Sequence, residues 1–217
     1  MVKYVVKKEG KYWPSAAMKK IAWISDEKIY EEGEKDPVKF WEKLAKEGIL
    51  WDKPWKTTYE EKLPYFWWFK EGKLNFSVNC IDRHIKQGKG DKTALIWVPE
   101  PVAEKTLKIT YQELLEKVNK FANVLKKYGV EKGDVVSIYL PLMPEVAIAM
   151  LACTRIGAVH SVVFSAFSSD ALKARIDDGQ AKILVTCDGY YRRGNKENFE
   201  AGNCNSRSRI EDISHKR

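Results

Sequence analysis

The chain has 217 residues, long enough for one large domain or one and a half ordinary ones, and for a real apolar core. Its 38 Lys and Arg outweigh 30 Asp and Glu to give a net charge of +8, which invites a nucleic-acid reading. Lys and Glu nevertheless interleave along "VKFWEKLAKEG" and "YQELLEKVNKFANVLKKYG", the pattern of solvated helix faces with i,i+4 pairing, so no nucleic-acid partner is expected. The opening "MVKYVVKKEG" has no signal-peptide core and no apolar run approaches a membrane span; no membrane association and a cytoplasmic location are expected. Cys80, Cys153, Cys187 and Cys204 form no CxxC pair, and His84, His160 and His215 stand apart, so no metal site is expected. Cys153 and Cys187 lie in apolar runs and read as small buried thiols.

Residues 1–90 are dense in aromatics and irregular in period. Asp36 followed by Pro37 reads as an N-cap with proline at the first helical position; Val38, Trp41, Leu44 and Ala45 share one face, and Gly48 ends the helix. Trp51, Trp55, Trp67 and Trp68 then fall among prolines and glycines, which suits an extended segment packed over a larger body. A carbohydrate-stacking surface would use the same residues.

From Lys92 the pattern becomes regular. "TALIWV" and "TLKITY" read as short strands. Thr110 and Glu113 form a capping box for a helix whose stripe is Leu114, Leu115, Val118, Phe121, Ala122 and Leu125, closed by Gly129. "VVSIYL" is a continuous apolar strand, Pro144 opens the next helix, "AVHSVVF" is a second buried strand, Ser168 caps a helix with Leu172 and Ile176 inward, and "KILVT" is a third strand. Such alternation predicts an α/β fold, a parallel sheet with helices on both faces, whose ligand edge lies at the strands' C-terminal ends. On that edge stand the small-residue turn Ser165-Ala166 after Phe164 and the Arg192-Arg193 pair before Gly194. Small residues let a ligand approach the backbone, and paired arginines fork onto phosphate. The bland readings, a tight packing turn and two solvated arginines, stand beside these.

"WDKPW", "GKLNFSVNCIDRH", "ALIWVPE", "TYQELLEKVNKFANVLKKYGVEKGDVVSIYLPLMPEVAIAMLACTRIGAVHSVVFSAFSSDALKARI" and "DGYYRRG", in that order, resemble AMP-forming acetyl-CoA synthetase, the short-chain acyl branch of the adenylate-forming ligases. The resemblance runs from about Asp36 to Gly194. It implies a reaction in which acetate and MgATP give acetyl-AMP and the acetyl group then passes to CoA. It implies three regions: an N-terminal extension over 1–90, the first part of the AMP-binding domain over 91–194, and a divergent polar tail over 195–217.

Carried over residue by residue, the resemblance puts Phe164, Ser165 and Ala166 where the family contacts the adenine end of CoA, usually with glycines after the Phe. Arg192, Arg193, Gly194 and Asn195 fall where the family binds the ribose 3′-phosphate, and Asn195 departs from the Arg or Lys often found there. No segment here matches the family's Ser/Thr/Gly-rich phosphate loop of the "TSGTTGKPKG" kind, its aromatic-Thr-Glu stretch, its ribose Asp or its C-terminal lysine. No catalytic residue is therefore expected in this chain. The expectation is the N-terminal part of an acetyl-CoA synthetase, inactive alone, with acetate, ATP and Mg chemistry belonging to the intact family enzyme and at most weak CoA binding here. The alternative is a non-catalytic CoA- or nucleotide-binding module, or a subunit needing a downstream half. Phe199, Ile210 and Ile213 are the only large apolar residues after Asn195, so the "KILVT" edge or its neighbour is expected to be left uncovered and the tail to be mobile.

Overall fold

The computed structural model describes residues 5–24, 26–101, 103–198 and 209–210. It divides into two compact units, Met1–Gly72 and Lys73–Arg217.

The first unit opens with an antiparallel hairpin of β1 (Val5–Lys8) and β2 (Lys11–Pro14), then α1 (Ala16–Ile21), α2 (Lys28–Lys35) and α3 (Pro37–Gly48). Asp36 caps α3 as its sequence requires, its Oδ1 accepting the Lys39 amide at 3.0 Å. Of the expected face, Ala45 is buried, Val38 is half-buried, and Trp41 and Leu44 are exposed. The tryptophan-rich stretch is more regular than its sequence suggests. β3 (Thr57–Lys62) and β4 (Tyr65–Lys70) pair antiparallel about the Leu63-Pro64 turn. The cause is legible afterwards: Thr, Tyr, Phe and Trp fit a pleated surface, and they form cross-strand pairs such as Tyr59 with Trp68, at 4.8 Å between ring centroids. At the base, Trp51, Trp55 and Phe69 close a ring cluster, with the Trp51 and Trp55 rings each 4.8 Å from a neighbour. Trp51 Nε1 donates to the Ala45 carbonyl at 3.0 Å.

The second unit starts with a π-helical turn, Val78–Asp82, running into α4 (Arg83–Lys86). β5 (Thr93–Trp97) and β6 (Leu107–Thr110) confirm two short strands, but they pair antiparallel in a sheet of their own. α5 (Tyr111–Lys127) follows, and both halves of its capping box are formed: the Glu113 amide donates to Thr110 Oγ1 at 3.2 Å and the Thr110 amide to Glu113 Oε2 at 2.8 Å. Then come β7 (Val135–Ile138), α6 (Pro144–Ile156), β8 (Val159–Val162), α7 (Ser169–Asp178) and β9 (Ile183–Val185). β7 is central, paired in parallel with β8 on one side and β9 on the other.

Strand periodicity divides the core into two layers. Val136 and Ile138 of β7, with Ile183 and Val185 of β9, pack among Leu114, Val118, Leu125, Ile148 and Ala152 of α5 and α6. Tyr139, Val163 and Leu184 face the other way, against Leu172 and Ile176 of α7. Both faces of the parallel strands are thus covered, as the alternating pattern predicts.

Two expectations about the sheet's margins are corrected. β8 is an outer strand rather than a buried one: Val159 and Val162 are each about half exposed, and burial resumes at Val163. Of the two strands expected to be left uncovered, β9 or its neighbour, β9 is paired in parallel with β12 (Arg209–Ile210), Arg209 opposite Ile183 and Ile210 opposite Leu184. Two residues of β-compatible backbone are enough to extend a ladder even where the composition is polar, because the pairing is made by main-chain groups. Of the tail expected to be mobile, Asn195–Asn198 form a strand and Arg209–Ile210 pair with β9, and the rest lies outside the described residues.

Candidate functional site

At the C-terminal edge of the parallel strands, β8 ends at Val162 and the chain passes Val163 and turns through Phe164, Ser165, Ala166 and Phe167 into α7, which Ser168 caps by accepting the Ala171 amide at 3.3 Å. Val163 is buried, so the turn is rooted in the core, whereas Phe164 is 64% exposed. The turn closes on itself through the Phe167 amide, 3.0 Å from the Phe164 carbonyl. The Phe164 and Phe167 rings meet edge to face at 5.8 Å, and the Arg175 guanidinium lies 4.4 Å from the Phe167 ring centre. Beneath it, Tyr139 Oη lies 3.0 Å from the Ser165 carbonyl and 2.8 Å from the Phe167 carbonyl, donating its proton to them.

After β9 the chain runs through Thr186 to Asp188 into a hairpin, β10 (Gly189–Arg192) and β11 (Asn195–Asn198). Arg192 pairs with Asn195, which leaves Arg193 and Gly194 as a two-residue loop. Both have left-handed φ, 51° and 80°, the backbone of a type I′ turn. Glycine takes this conformation freely, while Arg193 is held in it against its preference. The arginines and Asn195 are exposed at the tip. The Gly194 amide donates to Glu100 Oε1 at 2.8 Å, so a carboxylate 94 positions earlier in the chain ties down the tip.

The predicted site residues therefore fall into two groups on one sheet edge, Phe164–Ala166 after β8 and Arg192–Asn195 after β9. β7 lies between them, so their roots are two strand spacings apart, about 10 Å. Beside the β9 end lies a cavity of about 560 Å³, walled by Phe121, Val124, Leu140, Met143 and Ile148, with Lys117, Lys120, Glu145 and Asp188 among its polar lining. Sequence reasoning missed three residues here. Tyr139 carries a signal in hindsight, a hydroxyl-bearing ring at the end of an apolar strand on the face opposite Ile138. Arg175 shows as a cation on the second turn of α7. Glu100 shows no signal, since its contact is set by tertiary structure.

The thiols and histidines behave as core or surface groups. Cys153 is fully buried, and desolvation pushes its thiol up to about 12. Burial also raises the Cys80 thiol, and it lowers His84, beside the charges of Arg83 and Lys89. Cys187 is half-buried, and Cys204 and His215 lie outside the described residues. Among the described residues no group of three His, Cys, Asp or Glu is placed to hold a metal ion, and no helix is long and apolar enough to cross a membrane.

Residues 26–80 match the pattern described as the acetyl-coenzyme A synthetase N-terminus, and residues 81–216 match the AMP-binding enzyme family. An acetyl-coenzyme A synthetase of Gemmatimonas aurantiaca is 49% identical over 181 residues, which is 83% of this chain and 27% of that protein. One from Methanothrix soehngenii is 47% identical over 174 residues, 80% of this chain and 25% of that one. One from Rubrobacter xylanophilus is 48% identical over 191 residues, 88% of this chain and 29% of that one. The chain thus spans about a quarter of the length of the curated relatives it matches, and the similarity favours a segment of such an enzyme over a free-standing binding module. With more than half its residues inside the matched region and the synthetase N-terminus preceding it, the chain belongs to the AMP-binding enzyme family and corresponds to the N-terminal part of its acetyl-coenzyme A synthetases.

Proposed function

We propose that this chain supplies the CoA-facing part of an AMP-forming acetate–CoA ligase, in which acetate, ATP with Mg²⁺, and CoA become acetyl-CoA, AMP and diphosphate. The observation that carries the reading is the Arg192–Asn195 hairpin tip, two exposed arginines on a backbone fixed by a type I′ turn. A guanidinium fork matches the oxygens of a phosphate monoester, which suits the 3′-phosphate of CoA. Glu100 already holds the Gly194 amide, so the arginine side chains rather than the turn backbone take the phosphate. Asn195 adds a neutral hydrogen-bonding group. Phe164 offers an exposed ring for the adenine, and the small Ser165 and Ala166 allow close approach to the backbone.

Adenylation belongs to the rest of the enzyme in this reading. When bound, MgATP would supply the adenylyl group that activates acetate, with diphosphate leaving; the residues named here bind and orient CoA and move no proton. The protein works in the cytoplasm with small-molecule substrates and a downstream half, and with neither nucleic acid nor membrane. Titration of the purified chain with CoA and dephospho-CoA tests it. Few of the contacts that sum to affinity are in this chain, so binding of roughly millimolar strength is expected, with CoA preferred. Arg192→Ala with Arg193→Ala should abolish the preference. Equal response of the unaltered chain to both ligands refutes the reading.

A further inference from the structure

We infer that Tyr139 is a positioning residue for CoA, its hydroxyl holding the Phe164–Ala166 turn in the shape that receives the adenine; this rests on the function proposed above. Ser165 and Ala166 have short side chains, and Phe164 is largely exposed, so the turn has few restraints of its own. Its shape is fixed from below. Tyr139 is 8% exposed, its ring packed with Val163, Leu172 and Ile176, and its hydroxyl reaches the carbonyls on both sides of Ala166. One proton shared between two acceptors sets the distance between those carbonyls, and with it the direction in which the Phe164 ring leaves the turn. Arg175 over Phe167, and Phe167 against Phe164, hold the same ring from the α7 side. An exposed aromatic stacks on a ligand with little loss of freedom when it is already held in the bound direction.

The ring and the hydroxyl of Tyr139 have separable roles, because Tyr139→Phe keeps the buried ring and removes the two hydrogen bonds. The expected result is a CoA dissociation constant raised about fivefold, the scale of one net hydrogen bond lost from the bound geometry. Affinity for dephospho-CoA should fall by the same factor, so that the ratio between the two ligands, set by the arginines, does not move. Amide exchange at Phe167, whose N–H closes the turn, should accelerate in the free protein. Ser168→Ala is the comparison: it removes the cap of α7 and should lower the unfolding midpoint while leaving CoA affinity within about twofold. If Tyr139→Phe binds CoA as well as the unaltered chain does, or if Ser168→Ala weakens binding equally, the inference is overturned and the proposed function stands. An unaltered chain that ignores CoA overturns the proposed function, and this inference with it.

Discussion

The π-helical turn at Val78–Asp82 is fastened to α6 by an ion pair, and breaking it should show how much of the second unit's stability depends on that attachment. Arg155 Nη2 lies 2.5 Å from Asp82 Oδ2 and Nη1 lies 3.4 Å from Oδ1, with the side chains 18% and 24% exposed. Asn75 reinforces the junction, donating to the Arg155 carbonyl at 3.0 Å and accepting the Val78 amide at 3.1 Å. Removing one member of a fully buried pair costs about 3–5 kcal/mol, and of an exposed pair at most about 1 kcal/mol. With a fifth of each side chain still solvated, we expect Asp82→Ala to cost about 2 kcal/mol, mostly because it leaves the guanidinium poorly solvated and unpaired. Arg155→Met keeps the aliphatic stem and leaves the carboxylate, which can rehydrate more easily, so about 1.5 kcal/mol is expected. The double variant removes both charges and should cost about 2 kcal/mol, leaving a coupling of about 1.5 kcal/mol in a double-mutant cycle from urea unfolding. A double variant whose cost equals the sum of the singles, or an Asp82→Ala cost below about 0.5 kcal/mol, would refute the attachment argument.

Ile138 on the central strand is fully buried against α5 and α6, so Ile138→Ala should cost about 3 kcal/mol and Ile138→Val about 1 kcal/mol by urea unfolding; a loss below about 1 kcal/mol for the alanine would mean the layer is loosely packed. Cys153, with its thiol pushed up to about 12, should resist iodoacetamide at pH 8 in the folded chain and react once the chain is unfolded. The sign of its pH linkage follows from the raised value. Below the ordinary thiol value of 9.0 both states hold the proton and nothing changes; between 9.0 and about 12 the unfolded chain releases it first, so stability falls as pH rises. Cys153→Ala should flatten that alkaline slope, and an unchanged slope would refute the assignment.

What the sequence made legible is what short-range chemistry dictates. Asp36, Thr110 and Ser168 cap the helices they precede, because a side-chain oxygen three residues ahead of an unpaired amide needs no tertiary partner. The alternation of "VVSIYL", "AVHSVVF" and "KILVT" with amphipathic helices gave the parallel sheet, because a strand covered on both faces reads as a continuous apolar run. The same rule misjudged β8, whose Val159 and Val162 are apolar yet half exposed: apolar composition states what a strand can bury, not whether a neighbour stands beside it. The aromatic hairpin was hidden for a different reason, since strand preference there comes from cross-strand ring pairs that exist only once the register is set. Of the candidate site, the small-residue turn at Ser165 and Ala166 and the two arginines stood out by type and position, and Phe164 through the family resemblance. Tyr139 and Glu100 did not, because each acts on a segment far along the chain, 26 to 28 positions in one case and 94 in the other.

The two halves of the candidate site are held by opposite means, and that difference says which will tolerate change. At the hairpin tip, shape comes from local stereochemistry: a two-residue loop with φ of 51° and 80°, closed by the Arg192–Asn195 pair. A side chain at Arg193 could change without moving the backbone, provided its replacement accepts left-handed φ, whereas a β-branched residue there would unsettle the turn. At the Phe164 turn, shape comes from beneath, through a hydroxyl seated on the α7 face of the sheet and a guanidinium over a neighbouring ring. Change in Leu172 or Ile176, which pack in the layer that seats Tyr139, is then transmitted to Phe164 although neither residue is exposed. On the function proposed above, phosphate preference and adenine contact should therefore vary independently: the first with substitutions at the exposed tip, the second with the volume of the buried layer beneath the Phe164 turn.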